Sequence, residues 1–308
     1  MLIQSAKGAS EVLDMLKRII TAAAYLIVFI PALVFSDTWL LPIEMTLIVI
    51  FSTYEMLKCI GVLKKFAVSI PVMIISAAMP TVTRLSVTVD RLYLIPAAFG
   101  VILFLLIYLF GVAVLSNGRF TVDDVAMTFM TTVYMTVGYC SVIFVRDATV
   151  VSGGETYNIG KYLLFLIFIG AWITDTFAYF GGRLLGKHKL CPDISPNKTV
   201  EGSISGIIFC VISFMIYGLI IDKGFSQQAN YFSLAAIAVA ASVVSQIGDL
   251  ALSMIKRRYS IKDFGKMMPG HGGMLDRFDS VIPVAIALAV FCELFSALGI
   301  NIVSKIIK

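Results

Sequence analysis

Asp249, Ser253 and Lys256 are spaced i, i+4 and i+7, which puts a carboxylate, a hydroxyl and an ammonium on one side of a helix. Asp249 lies within a long apolar segment, and at about 1.5 Å rise per residue it sits roughly 10 Å below Lys256. Charges inside such segments are costly and usually functional. A structural carboxylate neutralised by a neighbouring helix is the plainer explanation. Asp175, Tyr179 and Arg183 make a similar stripe at i, i+4 and i+8, where an internal ion pair or a helix–helix hydrogen bond would serve equally well. The densest polar stretch is 253–280. It holds Lys256, Arg257, Lys262, Asp263 and Gly265, then Pro269-Gly270-His271-Gly272-Gly273, then Asp276, Arg277 and Asp279. Its glycines permit close approach of backbone to a ligand. Asp276 and Asp279 face the same side if a helix has begun there, and Pro283 is tolerated near its first turn. Acidic groups at a helix start also have a dipole-complementing explanation. Glu44 and Glu55 lie within another apolar segment and are assigned no chemistry.

Carboxylates without a Cys or His cluster suit a hard cation, Mg²⁺ above all. The two histidines are His188 and His271, which argues against a zinc site. Lys and Arg around such a cation suit phosphates, because metal and cations offset charge on a phosphoryl group as it transfers. A site where membrane meets cytoplasm would join a water-soluble phosphate compound to a lipid. A juxtamembrane basic patch that binds anionic lipid or sets orientation is the competing reading. It leaves the intramembrane Asp249 and the Gly-rich turn unexplained.

The elements that must position these residues are membrane helices. Of 308 residues, 59% are hydrophobic and 14% charged, with a mean hydropathy of +0.95; a soluble domain carries about a quarter charged residues. Apolar segments of about 20 residues, enough to cross a bilayer, recur along the chain. Nine spans are predicted, at 18–36, 38–57, 66–83, 92–115, 125–145, 160–182, 200–221, 229–255 and 279–303. The third is hardest to draw, because Pro71 and Pro80 interrupt it. The fold class is all-α and polytopic. Residues 1–150 supply N-terminal spans and 151–308 the spans carrying the motifs, in one membrane-embedded unit. Five scattered cysteines lack metal-ligand spacing and read as apolar packing residues. No cleavable signal peptide is expected. With the N-terminus cytoplasmic, 17 of the 24 Lys and Arg fall on the cytoplasmic side, as the positive-inside rule requires. That orientation leaves the C-terminus outside and puts loops 183–199 and 256–278 together in the cytoplasm. The sequon Asn197-Lys198-Thr199 is then a chance match.

The stretch from Ser253 to Asp279 resembles the signature of the phosphatidate cytidylyltransferase (CDP-diacylglycerol synthase) family. The match runs through Ser253, Lys256-Arg257, Lys262-Asp263, Gly265, Pro269-Gly270-His271-Gly272-Gly273 and Asp276-Arg277-Phe278-Asp279. Gln246 to Leu250, the block from Asp175 to Lys187 and the block from Ile194 to Gly202 look like the family too, so the resemblance covers roughly 172–285. Asn197 stands where the family commonly has Lys, which removes one cation. The resemblance implies that CTP and phosphatidate react to CDP-diacylglycerol and pyrophosphate with Mg²⁺ required. It also implies a helical membrane fold, often dimeric, with carboxylates at Asp249 and Asp276 on the metal. Asp279 is a further metal candidate. Asp249, Asp276 and Lys256 are the expected catalytic residues. Ser253, Arg257, Lys262, His271, Arg277, Asp175, Arg183 and Lys198 are expected to bind substrate. The expected surroundings are membrane lipid in a prokaryotic cell membrane; no nucleic acid is expected as a partner. A transporter of an anionic substrate is the alternative, since intramembrane acids and interrupted spans occur there too. Against it, the polar residues gather toward one face and no inverted repeat is visible. The Asp-x-x-Asp-Gly-x-x-Ala-Arg signature of the CDP-alcohol phosphatidyltransferases is missing.

Overall fold

A computed structural model describes residues 25, 27–86, 91–152, 155–224, 227–267, 272–299 and 302–305. A helical segment α1 (27–34) precedes α2 (Leu40–Cys59), α3 (Phe66–Leu85), α4 (Arg91–Leu115) and α5 (Val122–Arg146). These are followed by α6 (Gly160–Leu185), α7 (Val200–Gly224), α8 (Tyr231–Arg258), the short α9 (Leu275–Phe278) and α10 (Val281–Ala297). Among the described residues, the seven helices α2 to α8 are long and apolar enough to cross a membrane. Each offers at least 20 residues, about 30 Å of helix. Nine spans were expected. The first is described only in part, and the last is shorter than the sequence suggests. α10 has 17 residues and stops before Gly299, which takes a left-handed conformation at φ 68°, a common way to end a helix. Pro71 and Pro80 both lie inside α3. Spanning helices tolerate such prolines because neighbouring groups satisfy the freed carbonyls.

The chain is not purely helical. Among the described residues, three two-stranded antiparallel sheets join helix ends: β1 (Thr149–Ser152) with β2 (Glu155–Asn158), β3 (Lys189–Cys191) with β4 (Ser195–Thr199), and β5 (Gln227–Ala229) with β6 (Val303–Lys305). Backbone groups outside the helices still need partners, and pairing two short segments supplies them. β6 thus takes the end of the predicted 279–303 span back to the start of α8.

Two close approaches position the polar residues. α6 packs against α7 through glycines: a Cβ on Gly202 would meet the Ala178 carbonyl, and one on Gly181 would overlap Ser205. Small residues at such crossings let helix backbones approach. In α8, a Cβ on Gly248 would overlap the Pro283 ring and crowd the Asp279 carbonyl. Gly248 therefore lets α8 lie against the start of α10, with the neighbouring Asp249 beside the 276–279 turn.

The N-terminal helices hold that turn from the other side. Phe278, 1% exposed, sits among Phe29, Tyr139 and Tyr25, with ring centroids 6.2, 5.7 and 6.5 Å away. The Tyr139 hydroxyl is tied to Ser52 Oγ at 2.7 Å. Truncating a buried Phe forfeits both transfer energy and packing. Phe278→Ala is therefore expected to destabilise the protein by about 3–5 kcal/mol, read as a lower unfolding midpoint in detergent. An unchanged midpoint would contradict this packing.

Candidate functional site

A cavity of about 530 Å³ lies where the end of α6, the β3–β4 hairpin, the start of α7, the second half of α8 and the 276–279 turn converge. All of these belong to one end of the bundle, where α6 passes into α7 and α8 into α10. Asp175, Tyr179, Arg183, Lys198, Asp249, Asp276 and Asp279 all line it. The sequence singled out each of these residues.

The α6 wall is the expected stripe. Arg183 Nη1 donates to Tyr179 Oη at 3.3 Å, and Asp175 sits one turn earlier on the same wall. The hairpin that carries Lys198 is fastened to α7. The Gly202 N–H donates to Thr199 Oγ1 at 3.1 Å, and the Glu201 carboxylate accepts the Lys187 and His188 N–H groups at 3.0 and 3.2 Å. It also meets His188 Nδ1 at 2.6 Å. So fixed, Lys198 reaches across the cavity, its Nζ 2.5 Å from Asp249 Oδ2. Ser253 Oγ donates to the other Asp249 oxygen at 3.4 Å, as their i, i+4 spacing suggests.

Lys256 departs from that stripe. It turns away from Asp249 to Asp276, Nζ to Oδ1 at 2.9 Å, with only 10% and 5% of the two side chains exposed. The second Asp276 oxygen accepts the N–H groups of Phe264 and Gly273, both at 2.9 Å. Asp276 thus meets one ammonium and two amides, the compensation that a buried carboxylate requires. Asp279 accepts its neighbour's amide, Ser280 N to Oδ1 at 2.9 Å. It lies within electrostatic reach of Asp249, Asp175, Asp276 and Lys256.

The structure does not bring every expected residue to the cavity. Arg257 donates to the Ile194 and Ile261 carbonyls at 3.2 and 3.3 Å, tying the two polar loops together outside the lining. Lys262 and Arg277 are exposed and do not line it; Ser253 and Lys256 are buried beside the lining and touch it through Asp249 and Asp276. His271 lies outside the described residues. Asn197, Thr199, Ser203 and Gln246 line the cavity without having been singled out as site residues. Gln246 precedes Asp249 by three residues, so helical periodicity could have found it. Its Nε2 donates to the Ser203 carbonyl at 3.4 Å.

The donor set can be tested against a divalent cation. Four carboxylates face one cavity with no thiolate among them, the oxygen-only chemistry that suits Mg²⁺. Among the described residues, however, no three of Asp, Glu, His or Cys are gathered closely enough to hold a metal ion. Asp249, Asp276 and Asp279 share a cavity, but Lys198 and Lys256 hold the first two. Mg²⁺ usually takes only one or two protein carboxylates and completes its shell with water and phosphate, so the residues fit a metal that arrives with a phosphate ligand.

Comparison with known proteins bears on the same region. The model of the cytidylyltransferase family matches residues 16–295. Among curated relatives, a phosphatidate cytidylyltransferase of Staphylococcus saprophyticus is 39% identical over 172 residues, 56% of this chain and 60% of the relative. One of Bacillus subtilis is 39% identical over 194 residues, 63% of this chain and 68% of the relative. One of Staphylococcus haemolyticus is 38% identical over 172 residues, 56% of this chain and 60% of the relative. The chain therefore spans 60% of the length of the first and third relatives and 68% of the second. With the family match reaching from ahead of α1 to the end of α10, the chain belongs to the cytidylyltransferase family.

Proposed function

We propose that this protein transfers the cytidylyl group of CTP to phosphatidate, giving CDP-diacylglycerol and pyrophosphate for phospholipid biosynthesis. The observation that carries the reading is the cavity at one end of the membrane helices, where carboxylates are held by lysines. Such a site can receive phosphates at its cations while the lipid stays in the bilayer. The phosphate oxygen of phosphatidate attacks the α-phosphorus of CTP, a new P–O bond forms, and the bond to the β-phosphate breaks. A phosphate monoester is largely ionised near neutral pH, so no strong base or protein nucleophile is needed. Positioning and charge neutralisation carry the catalysis. Lys198, Lys256 and Arg183 bind phosphate oxygens and orient the two substrates. Asp249 and Asp276, with Asp279 close by, are the carboxylates that would hold Mg²⁺. The ion would neutralise charge on the transferring phosphoryl group. Purified protein given CTP, phosphatidate and Mg²⁺ should yield liponucleotide and pyrophosphate in equal amounts. Failure to form either in an intact, folded preparation would overturn the reading.

The cavity is built from both polar loops, and Arg257 bonds directly to Ile194, so 183–199 and 256–278 share one face. The Lys and Arg distribution makes that face cytoplasmic, with the N-terminus on the same side and the C-terminus outside. Nine spans fit this arrangement if the segment around α1 crosses first and α10 crosses last. Single cysteines at Asp193 and Asp263, both exposed, should react only with reagent on the cytoplasmic side, in a background without the five native cysteines. Labelling of either from outside in intact cells would overturn the orientation.

A further inference from the structure

The N-terminal half contributes a carboxylate that neither the metal reading nor the phosphate reading uses. Glu55 belongs to α2 and is 4% exposed. Its two oxygens are divided between consecutive backbone amides. Met274 N donates to Oε1 at 3.0 Å and Leu275 N donates to Oε2 at 2.9 Å. Those amides begin the short helix that presents Asp276. The contact leaves no room for a side chain between the partners, because a Cβ on Gly265 or Gly273 would overlap the Glu55 carboxylate. Glycine is needed at both positions for this close approach.

The turn is therefore gripped by two carboxylates. Asp276 gathers the Phe264 and Gly273 amides from within, and Glu55 gathers the next two amides from outside. Among the described residues, Lys256 joins this assembly through its ion pair with Asp276 and lies over the Phe264 ring, Nζ 5.4 Å from the centroid. A shift of the 273–276 backbone would move the carboxylate and the ammonium together. Displacements of about 1 Å in such a constellation cost activity heavily.

We infer that Glu55 is a positioning residue for the cytidylyl-transfer site, holding the 273–276 turn so that Asp276 and Lys256 face the substrate phosphates. The inference rests on the function proposed above. It gives the N-terminal half a part in catalysis without contact with substrate.

Glu55→Gln tests it. The amide can accept one of the two N–H groups but turns its own NH₂ toward the other, so one charge-assisted bond becomes a donor–donor clash. The expected result is a kcat about 10- to 100-fold lower per folded molecule, with the KM for CTP changed much less. Glu55→Asp keeps the charge and should recover more activity than Glu55→Ala. Hydrogen exchange should show loss of protection confined to peptides spanning 272–280. Native kcat in Glu55→Gln would overturn the inference. So would a lower yield of folded protein with native kcat, which marks a purely structural role. If Glu55→Gln does not accumulate folded, Glu55→Ala carries the same comparison, and native kcat together with native protection would overturn the clamp. If wild-type protein shows no cytidylyl transfer, the function reading fails by itself. The exchange measurement still decides whether Glu55 holds the turn.

Discussion

Asp276→Asn should lower turnover on the order of a thousandfold while the protein still inserts into the membrane. Asp276 is nearly buried and holds Lys256 and two backbone amides at once. Replacing the carboxylate by an amide leaves an ammonium buried without its counter-charge. Breaking a buried pair by removing one partner costs about 3–5 kcal/mol, equivalent to a rate factor between roughly a hundredfold and several thousandfold if it falls on the transition state. The Asn side chain also offers an NH₂ where oxygen now accepts two N–H groups, so part of the cost will appear as a looser turn. Turnover should therefore be normalised to monodisperse, folded protein from size exclusion. Activity within tenfold of wild type would mean that Asp276 is only a local cap.

Asp249→Asn separates catalysis from stability more cleanly. The Lys198–Asp249 pair is 2.5 Å long, but its side chains are 28% and 24% exposed. Water and salt screen such a pair, and exposed ion pairs typically contribute less than about 1 kcal/mol. The unfolding midpoint should hardly move. Turnover should fall about a hundredfold or more, the scale of losing a positioned electrostatic group, and raising Mg²⁺ should not restore the full rate. A variant with native turnover would reduce Asp249 to a surface ion-pair partner. One that loses activity only in proportion to folded protein would do the same.

The sequence was most informative where one helix carries several polar groups. Asp175, Tyr179 and Arg183 follow from helical spacing and line one cavity wall, and Asp249 stood out because apolar residues surround it. Lys256 shows the limit of that reasoning. Spacing placed it on the Asp249 face, yet a long flexible side chain near a helix end goes to the better-buried partner, Asp276. Arg257, Lys262 and Arg277 were grouped with the site because they lie among its motifs, but neighbouring residues in a chain point in different directions, and these three do not line the cavity. Glu55 was not legible at all. Its partners are 219 and 220 residues away, and periodicity within α2 carries no information about a contact of that range. The end of the last predicted span failed for a different reason: hydropathy continues past Ala297, while the backbone turns at Gly299 and pairs with β5.

Two labels followed in parallel reactions decide whether cytidylyl transfer to phosphatidate takes place on this chain. Purified wild-type protein is given phosphatidate, Mg²⁺ and CTP labelled on the α-phosphorus in one reaction and on the γ-phosphorus in another. The α-label should move into the organic-extractable lipid as CDP-diacylglycerol, while the γ-label stays in the aqueous phase as pyrophosphate, one for one. An α-label that remains water-soluble, as CTP or as free CMP, with no labelled lipid formed, would overturn the proposed function.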